Sequence, residues 1–159
     1  MKIADMAEMI IEKFKPTHGA CLYMSALLVA MINDHLTTKA KFVTGTLNVG
    51  GITIFSHSPL KEILSSNENY ISDWDGHAWV SVPGFIIDLS IFQTIYSEKT
   101  PNRIQNAFSS RLDRHPKYLI GQESKLVKTG IIYKELEVLN DDHATLFIEN
   151  ADRLGLLGS

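Results

Sequence analysis

Between Leu22 and Ile32 the chain offers eleven residues of which only Ser25 is polar. A helix that is apolar on nearly every side cannot lie on a surface and must be enclosed by other elements. The run is too short to cross a bilayer, which needs roughly 20 residues. It therefore reads as the buried centre of a folded domain, a helix from about Cys21 to His35. The rest of the chain has to supply the elements that enclose it.

Ile3, Met6, Ile10 and Phe14 recur at helical spacing, with Asp5, Glu8, Glu12 and Lys13 largely off that stripe, which predicts an amphipathic first helix lying on the core. Pro16 ends it by steering residue 15 away from helical angles, and Thr17 to Ala20 form a short loop. After Leu36 the pattern turns to strands. Residues 41–47 and 52–55 flank Asn48-Val49-Gly50-Gly51 and read as a hairpin. Residues 58–64 read as one short helix, with Ser58 as N-cap and Pro59 at the first position. A polar loop from Ser65 to Asp75 leads to strands at about 77–82 and 85–89. Residues 93–116 are looser, with a helix near Arg103 to Leu112. Residues 126–128 and 131–139 read as a hairpin around Thr129-Gly130, and Ala144 to Leu154 as a final helix. Helices first and mostly antiparallel strands after them make an α+β fold. No repeat, low-complexity tract or linker interrupts residues 1–159, and 45% hydrophobic content suits one domain with a sizeable core.

Charge and cysteine content narrow the function. A net charge of -3 gives no electrostatic footprint for nucleic acid. The first eight residues carry acids where a signal peptide needs an uninterrupted apolar stretch, so the expectation is a cytoplasmic protein that does not engage a membrane. Export by a route without a signal would leave no such trace. The one cysteine cannot form an internal disulfide, which fits a reducing compartment and leaves a free thiol to explain. His18 and Cys21 have ligand-like spacing, but no second paired motif accompanies them, so neither zinc nor any other cofactor is expected.

Cys21 sits where the buried helix begins, after Gly19-Ala20. A helix N-terminus presents backbone N–H groups and a partial positive charge, which favour a thiolate and can receive an oxyanion. The alternative is a small hydrophobe packed with Leu22 and its neighbours, as free cysteines commonly are. The Pro83-Gly84 turn bears on the choice. Centred there, it pairs Val82 with Phe85 and Val80 with Ile87. One face then carries Ala78, Val80, Val82, Phe85, Ile87 and Leu89, all apolar; the other carries His77, Trp79, Ser81, Ile86, Asp88 and Ser90. His77 and Asp88 share that face as diagonal neighbours, within hydrogen-bond reach. Such an aspartate can fix the tautomer of an imidazole that exchanges a proton with a thiol. The same residues also admit a solvated strand histidine and an aspartate that caps the following segment.

Gly19-Ala20-Cys21 opening a buried helix, Gly76-His77-Ala78-Trp79-Val80 and Phe85-Ile86-Ile87-Asp88 together resemble the transglutaminase-like branch of the papain-like cysteine enzymes. The resemblance covers roughly residues 16–92, and the His-Ala-Trp-Val portion is similar to the small leader peptidases of lasso-peptide biosynthesis. It implies a papain-like domain in which the cysteine-bearing helix packs on a mainly antiparallel sheet. It also implies Cys21 as nucleophile, His77 as general base and acid, and Asp88 as the orienting group. Papain-type enzymes often carry an upstream glutamine as oxyanion donor, and this chain has no glutamine before Gln93. His18, Trp79 or the Cys21 amide are the candidates left for substrate and oxyanion contacts. The expected activity is thiol-dependent hydrolysis of an amide in a protein or peptide, by proteolysis or glutamine deamidation. Acyl transfer to an amine, and a non-catalytic peptide-binding module of the same fold, stand as alternatives.

Overall fold

The computed structural model describes residues 2–14, 19–65, 74–112 and 117–158. Among them the elements run α1 (Ile3–Lys13), α2 (Ala20–His35), β1 (Lys41–Val49), β2 (Ile52–Phe55), α3 (Leu60–Ser65), β3 (His77–Val82) and β4 (Phe85–Asp88). They continue with α4 (Ile91–Ile95), α5 (Asn102–Ser109), β5 (Leu119–Gln122), α6 (Glu123–Lys128), β6 (Ile131–Leu139) and α7 (Asp141–Arg153). The fold is mixed α+β around one curled antiparallel sheet.

Strand β1 organises that sheet. Along one side it pairs with β6 over nearly its whole length. Along the other it pairs first with β3, Lys41–Gly45 against Ser81–His77, and then with β2, Leu47–Val49 against Phe55–Ile52. Strands β2 and β3 thus follow one another on the same side of β1 and leave a fork where Phe55 ends and His77 begins. Beyond β3 the sheet continues through β4 to β5. Gly45 sits at this fork. A Cβ there would lie 1.8 Å from the Lys134 carbonyl oxygen and 2.8 Å from the Trp79 ring, so only glycine lets the strands approach. A bulge in the β1–β6 ladder falls beside it, between Thr44 and Gly45, and bulges bend the strand that carries them.

Both faces of the sheet are covered. On one, Phe42, Ala78, Val80, Val82, Ile87 and Leu89 pack with α1, α2 and α7. Phe14, Tyr23, Phe147 and Phe42 run through that core as successive ring pairs at about 6 Å. On the other, Val43, Leu47, Val49, Trp79, Ile86 and Tyr133 pack with α4, α5 and α6. The apolar face deduced from period-two alternation is therefore one core, and the face bearing His77 and Asp88 belongs to a second. Phe85, at the turn, departs from the deduction in being 40% exposed.

Several local expectations need correction. Leu126 to Lys128 is the end of helix α6 rather than a strand, and β6 pairs with β1. A short apolar pair such as Leu126-Val127 fits either period; only Leu126 is buried, and Val127 projects outward. Ser58 does not cap α3. Its amide and hydroxyl both bond to the Asp75 carbonyl, and the first α3 amides, those of Leu60 and Lys61, donate instead to the Glu137 carboxylate at 2.8 and 3.1 Å. Strand β5 and helix α4 are additions to the reading from sequence. Most of the loop expected over 65–75 lies outside the described residues.

Candidate active site

Cys21 occupies the first turn of α2. Gly19 enters that helix with φ of 79°, a left-handed backbone that residues with a Cβ resist, so a glycine here allows the chain to turn sharply into the helix. The amides of Leu22 and Tyr23 both donate to the Gly19 carbonyl, at 2.9 and 3.4 Å. Cys21 is half-buried, packed at the margin of the helical core.

His77 heads β3, directly at the fork. The register Val82↔Phe85, Ser81↔Ile86 and Val80↔Ile87 brings Asp88 to the same face, and His77 Nε2 and Asp88 Oδ2 lie 2.5 Å apart. Both are sealed from solvent, at 2% and 0% exposure. The Phe55 ring lies flat on the imidazole, centroids 4.3 Å apart and 6° from parallel, so the end of β2 fixes the plane of the ring that begins β3. With Nε2 held by Asp88, Nδ1 is the nitrogen left for the Cys21 thiol, which lies near enough to help raise the imidazole's ionisation. Thiol and carboxylate approach from different layers, the helical core and the opposite face, and His77 at the strand's end spans them.

Burial by itself would push the His77 ionisation down. The Asp88 charge and hydrogen bond, together with the smaller influence of Cys21, outweigh it and raise His77 to about 10. An imidazolium is thus the form this pocket stabilises.

Asp88 is saturated with donors. Its Oδ1 accepts from the Ser90 and Ile91 amides at 3.2 and 3.1 Å, so the carboxylate also caps the segment that opens α4. Its Oδ2 accepts from His77 and from the Tyr133 hydroxyl at 2.8 Å. The capping and imidazole-orienting readings of Asp88 are therefore compatible: each uses a different oxygen. Tyr133 is the site residue that the sequence did not disclose. Burial first, then the Asp88 charge and hydrogen bond, hold its ionisation well above the ordinary 10, so it stays a neutral donor.

Of the two residues considered for substrate or oxyanion contact, His18 lies outside the described residues. Trp79 is 1% exposed, with its ring edge-on to Tyr133 at 4.9 Å. It packs the wall behind His77 rather than opening to a substrate. Trp74 packs against Gly76, where a Cβ would meet its ring at 2.3 Å, and its Nε1 donates to the Ser58 carbonyl.

A second polar cluster lies nearby on the helical side. His57 Nε2, Thr44 Oγ1 and Glu137 Oε1 lie within about 3 Å of one another, and the same carboxylate anchors α3. Hydrogen bonds from both α3 amides, with Thr44 and the His57 charge, overcome burial and hold Glu137 below the ordinary carboxylate range. The cluster clamps α3 to the sheet.

Among the described residues no group of histidine, cysteine and carboxylates is arranged to hold a metal ion, and no helix is long and apolar enough to cross a membrane. No family model, curated protein or solved structure matches the chain, so what the site can do has to be argued from its own geometry.

Proposed function

We propose that the chain is a thiol-dependent amide hydrolase of the transglutaminase-like, papain-like type, acting on a peptide or protein through Cys21, His77 and Asp88. One observation carries this reading: a buried imidazole is held by a carboxylate on Nε2 while a half-buried, helix-borne thiol lies near the same ring. A buried imidazole has two polar ring nitrogens, and the carboxylate satisfies one of them. A histidine gripped on one side and presented to a half-buried thiol on the other is arranged for proton exchange.

In the proposed reaction the His77 imidazolium that the pocket stabilises pairs with a Cys21 thiolate, and the sulfur adds to the amide carbonyl. Among the first-turn amides, that of Cys21 is assigned to the oxyanion, because those of Leu22 and Tyr23 already donate to Gly19. Collapse breaks the C–N bond, and the His77 proton leaves with the amine or ammonia. Water then gives a proton to His77 and its oxygen to the thioester carbon. The C–S bond breaks, the acid is released, and the thiolate is left again beside the His77 imidazolium. Asp88 keeps Nε2 protonated throughout, so Nδ1 alone does the transfer. Water is the favoured acceptor, since holding an amine would require a dedicated site that excludes water.

The test is mass spectrometry of the full chain with glutamine-containing proteins and a peptide panel, the Cys21→Ala protein serving as control. Ammonia or peptide fragments, with an acyl adduct on Cys21, are expected. Incorporation of an added primary amine without hydrolysis would make the protein a transferase. No adduct and no product across the panel would leave a binding module.

A further inference from the structure

Among the described residues outside the triad, Tyr133 is the side chain that bonds Asp88 Oδ2, the Ser90 hydroxyl reaching Oδ1 instead, and it does so from the far side of the sheet. Strand β6, which carries it, is separated from β4 by β1 and β3. Three strand spacings in a flat sheet come to about 14 Å, well beyond a tyrosine side chain. The hydroxyl nevertheless lies 2.8 Å from Asp88 Oδ2. That reach depends on the curl of the sheet, on the bulge beside Gly45 and on a position in β1 with no side chain to obstruct it. Trp79, edge-on at 4.9 Å, fixes where the ring sits.

The choice of oxygen matters. Asp88 has two, and Oδ1 is already held by the amides of Ser90 and Ile91. Tyr133 bonds to Oδ2, the oxygen that also grips His77 at 2.5 Å. Two donors on one carboxylate oxygen compete for the same negative charge: whatever the phenol withdraws, the imidazole loses. A hydroxyl that needed only to be satisfied in a core would not have to share this atom.

We infer that Tyr133 is a positioning residue that sets how tightly Asp88 holds His77, by competing with the imidazole for the same carboxylate oxygen. The consequence for turnover rests on the triad reading above; the competition itself does not. Its burial and its neutral state make the phenol a constant donor over the pH range in which an enzyme would work. Among the described residues, the titratable side chains around His77 are Cys21 and Asp88, with Tyr133 acting through Asp88.

The experiment is proton and nitrogen NMR of histidine-labelled full-length protein, with His77 assigned by its loss in His77→Asn. In the wild type the Nε2-bound proton should resonate far downfield, as short hydrogen bonds do. Tyr133→Phe removes only the hydroxyl. It should move that resonance further downfield and raise the His77 titration midpoint by about half a unit or more. Tyr133→3-fluorotyrosine, a stronger donor of the same shape, should move both in the opposite direction. If Tyr133→Phe does not fold, the fluorinated variant decides alone. Wild-type values in the folded variants, or shifts of the same sign in both, overturn the inference. The triad reading would fail differently, by giving no acyl-enzyme while these shifts remain.

Discussion

Replacing Asp88 by asparagine tests the centre of the site without changing its shape. The Oδ1 position is held by the amides of Ser90 and Ile91, which need an acceptor, so the asparagine oxygen belongs there. The amide nitrogen then falls where Oδ2 was and becomes a donor to His77. The imidazole must present a bare Nε2 and carry its proton on Nδ1, facing the thiol, where it cannot act as a base. Burial, the largest influence on His77, is then opposed only by Cys21, and the ring is neutral in neutral solution. This has a consequence for stability as well as for turnover. In the wild type His77 is raised from 6.5 to about 10, so its contribution is complete below 6.5 and is lost as pH rises towards 10. At 1.36 kcal/mol per unit, the wild type should lose about 3 kcal/mol between pH 6.5 and 9. Urea denaturation would read this as a fall in midpoint of about 1.5 M. Asp88→Asn should start lower at pH 6.5 and run nearly flat over the same interval. Turnover should fall by about 10⁴-fold, the loss expected from a wrong tautomer. Parallel stability curves for the two proteins would refute the argument, because they would mean that Asp88 does not hold a charged His77.

Three further outcomes are expected. Gly45→Ala should destabilise the protein by about 3 kcal/mol, since a Cβ at 1.8 Å from the Lys134 carbonyl must push β1 and β6 apart; a fall in melting temperature of about 10 °C would register it, and an unchanged melt would contradict it. Glu137→Gln should cost about 1 kcal/mol at pH 7, because its amide group can no longer accept from both Leu60 and Lys61. As Glu137 ionises below its ordinary 4.5, the wild type should lose this advantage as pH falls through that lowered value, and denaturation at pH 7 and pH 3.5 should show the two proteins converging. Above pH 10 the wild type should weaken further, because Tyr133 resists an ionisation that the unfolded chain accepts; Tyr133→Phe should lack this additional alkaline loss.

What was legible in the sequence was what short-range rules govern. A two-residue turn and a period of two put His77 and Asp88 on one face, and the register follows from the turn alone. The enclosed helix was legible because its composition leaves no solvent face. What was not legible is what closure of the sheet creates. Tyr133 stands 45 residues from Asp88, and on β6 it looks like any inward-facing strand aromatic. Glu137 anchors amides 77 and 76 residues away at Leu60 and Lys61, so Ser58, a good local cap, was displaced by a partner that no window could contain. Helix α4, with five residues, and strand β5, with four, are too short for periodicity to separate them from loop.

The fork in the sheet explains why these residues and not their neighbours form the constellation. A histidine in mid-strand would face one layer only, and could meet either α2 or the carboxylate but not both. His77 is the first residue of β3, at the point where β1 changes partner from β3 to β2, and there a ring can touch a thiol from the helical side and an aspartate from the other. The same fork supplies Phe55, whose ring lies on the imidazole and excludes water from its face. Only Cys21 keeps partial exposure, while His77 and Asp88 are sealed. On the proposed reading, substrate therefore approaches from the Cys21 side. That side of approach suits the proposed role of His77 as a proton carrier for the sulfur.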